Sequence, residues 1–242
     1  MTDPVFLGDL PDPLPAVGTS IVLDGPEGRH AATVRRIRPG ERVIIADGFG
    51  RGIGGPVIDA GKSSITVDVR ETMIDPEPKI KITVAQGLAK GDRSDIACEM
   101  ITELGASMII PWQAARAIVR WSGDRADRAY AKWQATVREA TKQSRRLRIP
   151  TVDQLATTKQ LATKINDHDL TLILHEEATI RLPELALPDT GRIMIIVGPE
   201  GGIAPDEVDL LEAAGGQPVS ISDGVLRTST AGAVAMAAIL LR

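Results

Sequence analysis

The sequence predicts an α/β protein in which a parallel-sheet domain follows a small β-rich domain. Strand and helix patterns alternate from Lys79 onward, and strands that are separated by helices form parallel sheets. Short strands with turn residues between them fill the chain before that point. Asp75-Pro76-Glu77-Pro78 can continue neither element. We therefore expect a small β-rich domain at 1–73, a linker at 74–78 and the larger domain at 79–242.

Composition limits the class of protein. The chain has 242 residues, 43% of them hydrophobic and 25% charged, which is ordinary for a globular protein with a sizeable core. A single cysteine, Cys98, excludes an intramolecular disulfide and a cysteine-cluster zinc site, and we expect it to be a small buried hydrophobe. The start of the chain lacks a signal-peptide pattern and the longest apolar run, 231–241, is too short for a membrane span, so we expect a cytoplasmic protein without membrane contact.

The elements of the first domain follow from apolar alternation and turn residues. The patterns predict strands at 20–23, 42–46, 53–58 and 64–69 and a helix at 27–37. Two motifs here imitate nucleotide-binding loops. Gly50–Gly55 has the dinucleotide spacing and Ala60–Ser63 resembles the end of a P-loop, but strands rather than helices follow both. We expect neither motif to bind phosphate.

The second domain reads as alternating strands and helices. The patterns predict strands at 80–85, 107–110 (ended by Pro111), 170–174, 193–197 and 218–221, and helices at 93–104, 151–165, from Pro205, and 231–241. Pro205 suits a first helical position, and the two acids after it suit the positive end of the helix dipole. The last helix consists mostly of small residues, so it must pack closely against another surface.

Two glycine-containing loops near the end of the chain are the candidate site. The first is Gly198–Gly202, and the second runs from Ile221 through Gly224 to Leu226. We expect them to leave two neighbouring strands at the same sheet edge, where open α/β sheets bind ligands. Glycine lets the backbone approach a ligand closely. The alternative is a pair of tight connections with no ligand.

The residues of these loops resemble a known family. Val197–Gly202 (V-G-P-E-G-G), Ile221–Gly224 and Leu226–Ala231 (L-R-T-S-T-A) are similar to the RsmE-type 16S rRNA uracil-N3 methyltransferases of the SPOUT class. Lys90-Gly91-Asp92-Arg93 also resembles the family. Members usually carry Glu where this chain has Ser229, which argues against essential chemistry at that position.

The resemblance implies a fold, a reaction and partners. The fold is a SPOUT-type, trefoil-knotted, parallel-sheet methyltransferase domain behind a PUA-like β-barrel that helps to hold rRNA. The reaction is S-adenosyl-L-methionine-dependent methylation of N3 of a uridine in 16S rRNA of the 30S subunit. The family forms a homodimer through its knotted domains, and the helix at 231–241 is a candidate for part of that interface.

Site residues follow from the loops and the resemblance together. We expect Arg227 to stabilise the uracil anion and Glu200 to accept a proton or orient the substrate. An Arg227 that simply pairs with Asp223 is the alternative. The expected cofactor-binding residues are Leu174, His175, Val197, Gly198, Pro199, Gly201, Gly202, Ile221, Ser222, Leu226, Thr230 and Ala231.

Charge is unevenly distributed along the chain. Residues 116–148 contain ten basic and three acidic residues, a net +7, in a chain whose net charge is −4. Such asymmetry is typical of a surface for a polyanion. Four of the six aromatic residues lie in or beside this segment, so a charged helix with an aromatic inner face is the alternative. The expected RNA-binding residues, here and in the first domain, are Arg29, His30, Arg35, Arg36, Arg116, Lys142, Gln143, Arg145 and Arg146.

Other functions stay open from the sequence. A ribosome factor without catalysis could use the same basic surfaces, and a SPOUT methyltransferase could act on another RNA, such as a tRNA ribose. A nucleotide-phosphate enzyme that uses the two glycine loops is a further possibility, but these loops lack a P-loop lysine. We expect no metal site, because His175 with Glu176 and Glu177 has no second histidine at zinc spacing.

Overall fold

The computed structural model describes residues 3–241, which form two compact units. One unit contains the chain up to Glu77 together with Thr141–Ile149. The other contains Pro78–Ala140 and the chain from Pro150 onward. No sequence pattern indicates that 141–149 returns to the first unit, and this return divides the basic segment between the two units.

A six-stranded mixed sheet forms the first unit. Its strands are β1 (Val5–Leu7), β2 (Ser20–Leu23), β3 (Arg42–Ala46), β4 (Arg51–Ala60), β5 (Ile65–Asp68) and β6 (Glu71–Ile74). They run in the order β1-β3-β4-β5-β2, with β6 also paired to β4. Its main core gathers apolar residues of all these strands except β6, including Phe6, Ile45 and Ile53. The sequence patterns missed the short strands β1 and β6.

Three glycines of the dinucleotide-like motif, Gly52, Gly54 and Gly55, lie in strand β4, and Gly50 lies in the turn before it. The strand predicted at 53–58 is present within the longer strand β4. A Cβ at Gly55 would lie 1.8 Å from the carbonyl oxygen of Asp68, so the glycine permits a close backbone crossing. The register of β4 against β5 shifts between Val57 and Asp59. Gly55 therefore allows the close approach of β4 to the neighbouring backbone.

The helix of the first unit is shorter than predicted. Helix α1 (Gly25–Arg29) continues into a π-helical turn at His30–Val34, and the predicted extension to Ile37 is wrong. The turn ends because Arg36 adopts the left-handed conformation, with φ of 55°. The Ile37 N–H then donates to the carbonyl oxygen of Ala31 at 3.0 Å.

A parallel seven-stranded sheet forms the second unit. Its strands are β7 (Ile80–Gly87), β8 (Met108–Gln113), β9 (Thr151–Val152), β10 (Ala156–Thr157), β11 (Leu170–Leu174), β12 (Gly191–Val197) and β13 (Gln217–Val219). The order is β10-β8-β7-β12-β11-β13, with β9 also paired to β8. The central strands are apolar and buried, and Ile193–Val197 is almost wholly inaccessible to solvent. Parallel pairing places the carboxyl ends of all strands at one edge.

Five further α-helices follow α1 in the described part of the chain. They are α2 (Arg93–Glu103), α3 (Asp124–Gln143), α4 (Thr158–Ile165), α5 (Pro205–Ala213) and α6 (Thr228–Leu240), and a 3-10 turn covers Leu182–Glu184. Helices α2 and α6 pack against each other and against β7, while α4 packs against α5. Cys98 on α2 is fully buried, as expected. No helix within residues 3–241 is long and apolar enough to cross a membrane.

Three sequence predictions for the second unit are wrong. The loops at Gly198 and Ile221 do not leave neighbouring strands, because β11 lies between β12 and β13. Pro111 does not end its strand but pairs with Gln86 inside β8. The predicted helix 151–165 begins only at Thr158. Residues 151–152 and 156–157 pair with β8 instead, and a capping box of Thr157 and Gln160 starts the helix.

Helix α6 packs closely within its own chain. Eight of its thirteen residues are buried, among them Gly232. A Cβ at Gly232 would meet Ile101 and Val197 at 3.4 Å and Val84 at 3.6 Å. The small residues therefore bring the helix close to α2 and to strands β7 and β12.

This packing predicts opposite effects of two substitutions at Gly232. Ala fits at ordinary contact distance and removes a helical glycine, so Gly232→Ala should raise the free energy of unfolding by ~0.5–1 kcal/mol. Gly232→Leu should lower it by ~1–3 kcal/mol through overpacking. Urea denaturation followed by circular dichroism measures both. A Leu variant as stable as the wild type would contradict the close packing.

Candidate active site

A cavity of about 310 Å³ opens at the carboxyl edge of the parallel sheet. The first glycine loop follows β12, and the second loop leads into α6, so both loops contribute to its wall although their strands are not neighbours. The end of β11 and the start of α2 complete it. Its lining residues are Arg93, Leu174, Glu176, Val197, Gly198, Pro199, Glu200, Gly202, Ile203, Val225, Leu226, Arg227, Thr228 and Ala231.

Most residues predicted from the sequence line this cavity or a hollow beside it. The hollow measures about 60 Å³ and adds the predicted residues His175, Ile221 and Ser222. It shares five lining residues with the cavity: Leu174, Glu176, Val225, Leu226 and Ala231. Gly201 and Thr230 line neither space. Gly201 instead lies against the backbone of Arg116, where a Cβ would come 3.0 Å from the carbonyl oxygen.

Several lining residues were not predicted. Arg93 begins α2, and its signal was the Lys90–Arg93 segment that resembles the family. Ile203 and Thr228 are adjacent in sequence to predicted residues. Val225 lies within the predicted second loop, and Glu176 belongs to the strand end that the family resemblance places at the rim of the cofactor site. No periodic pattern distinguishes these residues, because their role depends on the crossing of chain segments that are far apart in the sequence.

One buried hydroxyl group joins the two loops. The Thr228 hydroxyl donates to the carbonyl oxygen of Gly198 at 2.6 Å and accepts from Gln86 Nε2 at 2.9 Å. Gln86 Nε2 also faces the carbonyl oxygens of Gly87 and Thr228 at 3.3 and 3.4 Å, which fixes the orientation of its amide. Strand β7, the first glycine loop and the start of α6 are therefore held by one set of hydrogen bonds.

Further hydrogen bonds hold the outside of the first loop. Glu200 Oε1 accepts from the backbone N–H of Lys90 at 2.9 Å. Arg116 Nη1 donates to the carbonyl oxygens of Gly201 and Ile203 at 3.4 and 3.5 Å. Buried Glu207 accepts from the N–H of Ala115 at 2.9 Å, which fixes the segment that carries Arg116. These hydrogen bonds tie the first loop to the segments that carry Lys90 and Arg116.

The exposed cation at the cavity wall is Arg227. It is the N-cap residue of α6, which has no side-chain cap, so the positive end of the helix dipole also faces this region. Within residues 3–241, the Arg227 side chain has no hydrogen-bond or ion-pair partner. The alternative pairing with Asp223 is wrong, because Asp223 lies 3.1 Å from Arg181 instead.

The histidines do not assemble a metal centre. Among the described residues, no three His, Cys, Asp or Glu side chains are grouped so that they could hold a metal ion. His175 Nδ1 accepts from the Glu177 N–H at 3.2 Å. His168 contacts Lys164 and Thr83, and burial lowers its pKa.

The predicted RNA-binding residues fall in both units. All except Arg116 belong to the first unit. Arg29, Arg35, Arg36, Gln143 and Arg145 are exposed, whereas His30 packs edge-on against Phe6 at 6.2 Å. Lys142 is buried and lies 3.1 Å from Glu27 Oε1, so this predicted RNA contact is better described as an anchor between α3 and α1.

Two of these arginines have an unusual backbone. Arg36 and Arg145 have φ of 55° and 58° and are the non-glycine residues with positive φ in the described chain. Both follow helical turns, at positions where glycine is the usual residue. The left-handed conformation costs an L-residue roughly 1–2 kcal/mol. Backbone strain of this kind is typical of functional positions.

The aromatic residues of the basic segment face inward. Trp133 is buried and packs edge-on against Trp121, with ring centroids 5.3 Å apart. The Tyr130 hydroxyl donates to the carbonyl oxygen of Val152 at 2.8 Å, and Trp112 is fully buried. The alternative of a charged helix with an aromatic inner face is therefore correct for Tyr130 and Trp133, whereas Trp121 precedes α3 and Trp112 lies in β8.

Comparison with known proteins gives consistent matches over both units. Residues 76–240 match the family model of an RNA methyltransferase domain, and residues 23–70 match that of an RNA methyltransferase PUA domain. The chain is 45% identical over 232 residues to ribosomal RNA small subunit methyltransferase E of Mycobacterium bovis, covering 94% of this chain and 88% of the relative. It is 31% identical to the protein of that name from Bacillus subtilis, covering 90% and 88%.

A solved structure is also similar. The crystal structure of ribosomal RNA small subunit methyltransferase E from Neisseria gonorrhoeae, bound to S-adenosyl methionine, superimposes with a TM-score of 0.86. The two chains are 29% identical, and the match covers 99% of this chain and 98% of the other.

The hydroxyl bridge between the loops predicts a stability difference between two variants. Thr228→Val keeps the shape of the side chain but removes a donor from the partly buried Gly198 carbonyl and an acceptor from the buried Gln86 amide, so the free energy of unfolding should fall by ~1–3 kcal/mol. Thr228→Ser keeps the hydroxyl and should lose less than half as much. Urea denaturation compares the two, and equal stabilities would show that the bridge is not needed.

Proposed function

Because the chain belongs to the ribosomal RNA small subunit methyltransferase E family, we propose that it transfers the methyl group of S-adenosyl-L-methionine to N3 of a uridine in 16S rRNA. The observation that carries the proposal is the single cavity that both glycine loops line, with Arg227 at its wall. The enzyme class and the rRNA substrate agree with the family, and the uridine N3 is the finer part of the proposal.

The cavity suits this methyl donor in size and in chemistry. Its volume of about 310 Å³ lies at the lower end of the range for small-molecule sites. Leu174, Val197 and Leu226 offer apolar surface, and the glycine backbone offers hydrogen-bond groups. Glu176 and Glu200 offer carboxylates to a cationic donor. When bound, S-adenosyl-L-methionine supplies an electrophilic methyl group on a sulfonium.

The acceptor determines what the protein's own residues must do. Uracil N3 carries a weakly acidic proton that must leave as the N–C bond forms, and negative charge develops on the ring. Arg227 has no competing partner in the described structure and can stabilise that charge, with help from the dipole of α6. The fixed loops keep the site in one geometry, which favours alignment of the reacting atoms.

Glu200 is the proposed proton acceptor or orienting acid. One of its oxygens accepts the Lys90 N–H, so the side chain is held at the cavity wall while its second oxygen stays available. A carboxylate in this place can accept the N3 proton directly or through a water molecule.

We place rRNA on the exposed arginines of both units. Phosphate contacts dominate such binding and make it steeply salt-dependent. We further propose that the protein acts on the 30S subunit in the cytoplasm, that the second unit forms the family's trefoil knot, and that two copies form a homodimer. The dimer would use the part of α6 that stays exposed, at Val234 and Leu240.

The proposed reaction has a direct test. Unmodified 30S subunits are incubated with the protein and a methyl-labelled donor, and the rRNA is digested for nucleoside analysis. The proposal expects label in N3-methyluridine of 16S rRNA. Label on a ribose or in tRNA would indicate another target, and no label with no heat of donor binding would indicate a factor without catalysis.

The role of Arg227 predicts a selective loss of activity. Arg227→Ala should lower kcat by about 10²–10³-fold, because a charge-stabilising group is removed while the fold is kept. Labelled methyl transfer measures the rate, and circular dichroism checks the fold. Arg181→Ala removes another exposed arginine nearby and should stay within about threefold of wild type. Near-normal turnover of Arg227→Ala would remove this residue from the mechanism.

The strained arginines predict that stability and RNA binding change in opposite directions. Arg36→Gly and Arg145→Gly relieve the left-handed strain and should raise the free energy of unfolding by up to ~1 kcal/mol each. Both should weaken binding to unmodified 30S subunits severalfold and reduce its salt dependence. Arg35→Ala changes an exposed arginine without positive φ and should show no gain in stability. RNA binding that stays unchanged in both glycine variants would contradict the proposed contact of Arg36 and Arg145 with RNA.

A further inference from the structure

Phe49 is the aromatic residue that the structure exposes most. Its side chain is 79% exposed, whereas Phe6, Trp112 and Trp133 are buried and the two remaining aromatics are partly buried. Phe49 lies in the turn between β3 and β4 of the first unit. Burying a phenylalanine stabilises a protein by ~1.5–3 kcal/mol, so an exposed one at a fixed position suggests a partner.

The turn that carries Phe49 is held rigidly. Asp47 Oδ1 accepts from the N–H of Phe49 at 2.7 Å and from the N–H of Arg51 at 3.0 Å. Gly48 and Gly50 on either side have φ of 81° and 102°, which residues with a side chain rarely adopt. Burial alone would raise the pKa of Asp47, but bonds from Arg51 and from the Phe49 backbone lower it overall, so the carboxylate stays charged at neutral pH.

A second segment of the same unit fixes the turn from outside. The Gly50 N–H donates to the carbonyl oxygen of Leu147 at 3.0 Å, and the Ile149 N–H donates to that of Gly48 at 2.9 Å. Arg148 lies between these two contacts, and its backbone forms an isolated β-bridge with that of Phe49. Its guanidinium passes over Gly50, where a Cβ would come within 2.4 Å of it. The same guanidinium donates to the carbonyl oxygen of Asp75 at 2.6 Å, so Arg148 holds the turn that exposes the ring.

The basic residues on the segment that packs against this turn favour a polyanion, and the exposed ring favours one with unpaired bases. Arg145 and Arg146 precede Arg148 on the same segment, and Arg145 is exposed and held in the strained conformation described above. Single-stranded RNA is bound by this combination, in which bases stack on aromatic rings or guanidinium planes and phosphates meet basic side chains.

We propose that Phe49 stacks on an unpaired base of the rRNA substrate, with the 145–148 segment beside it binding the adjoining backbone. The inference rests on the proposed function for the identity of the RNA and adds a base-contacting residue to the first unit. The proposed aromatic contact thus lies outside the basic segment 116–148, in a turn of the first unit's sheet.

Kinetics with unmodified 30S subunits test the stacking. Phe49→Ala should raise KM for the subunits about tenfold, the loss of one stacked base, with kcat unchanged. Phe49→Trp should restore KM to within about twofold, because it keeps a stacking surface. Val22→Ala, which removes exposed apolar surface on β2, should have no effect.

Salt dependence separates stacking from charge. The logarithm of affinity should fall with the logarithm of salt concentration with the same slope in Phe49→Ala as in wild type, because no phosphate contact is lost, whereas Arg145→Ala should reduce the slope. Unchanged KM in Phe49→Ala, with methyl transfer intact, would overturn this proposal and leave the proposed function standing. A change in sedimentation with unchanged KM would assign Phe49 to a protein interface instead. Absence of methyl transfer in the wild type would refute the proposed function itself.

Discussion

The hydroxyl group of Thr228 is the interaction on which the site depends. It bonds the carbonyl oxygen of Gly198 and the amide of Gln86, and so ties strand β7 to a loop and a helix that lie more than a hundred residues later in the chain. Without a fixed relation between the two loops there is no single cavity, because β11 separates the strands from which they come. The same bond sets the start of α6, and therefore the place of Arg227 at the cavity wall.

Much of the architecture was predictable because local patterns determine it. Apolar strands such as 42–46 and 170–174 have their predicted bounds, and the glycine loops do lie at the carboxyl edge of a parallel sheet. Predictions failed where tertiary pairing overrides the local pattern. Residues 151–157 read as helix, yet their hydrogen bonds go to β8. Pro111 reads as a strand end, yet its neighbours hold it inside the sheet.

The candidate site was predictable in its backbone and less so in its side chains. Glycine-rich loops can be recognised from their composition, so Gly198 and Gly202 could be assigned to the candidate site from the sequence. The role of Arg93 could not, although its segment resembles the family, because this residue approaches the cavity from the start of α2. The density of charge along the chain does not identify which residues are exposed. Lys142 is part of the most basic segment but is buried against Glu27, while Phe49, outside that segment, is exposed.

The central claim is that both glycine loops hold one methyl donor beside Arg227. A crystal structure of the protein with S-adenosyl-L-methionine tests it most directly. The account predicts the donor in the cavity between Gly198–Gly202 and Val225–Thr228, with its methyl group on the side open to Arg227. Electron density for the donor in another part of the molecule, with this cavity empty, would contradict it.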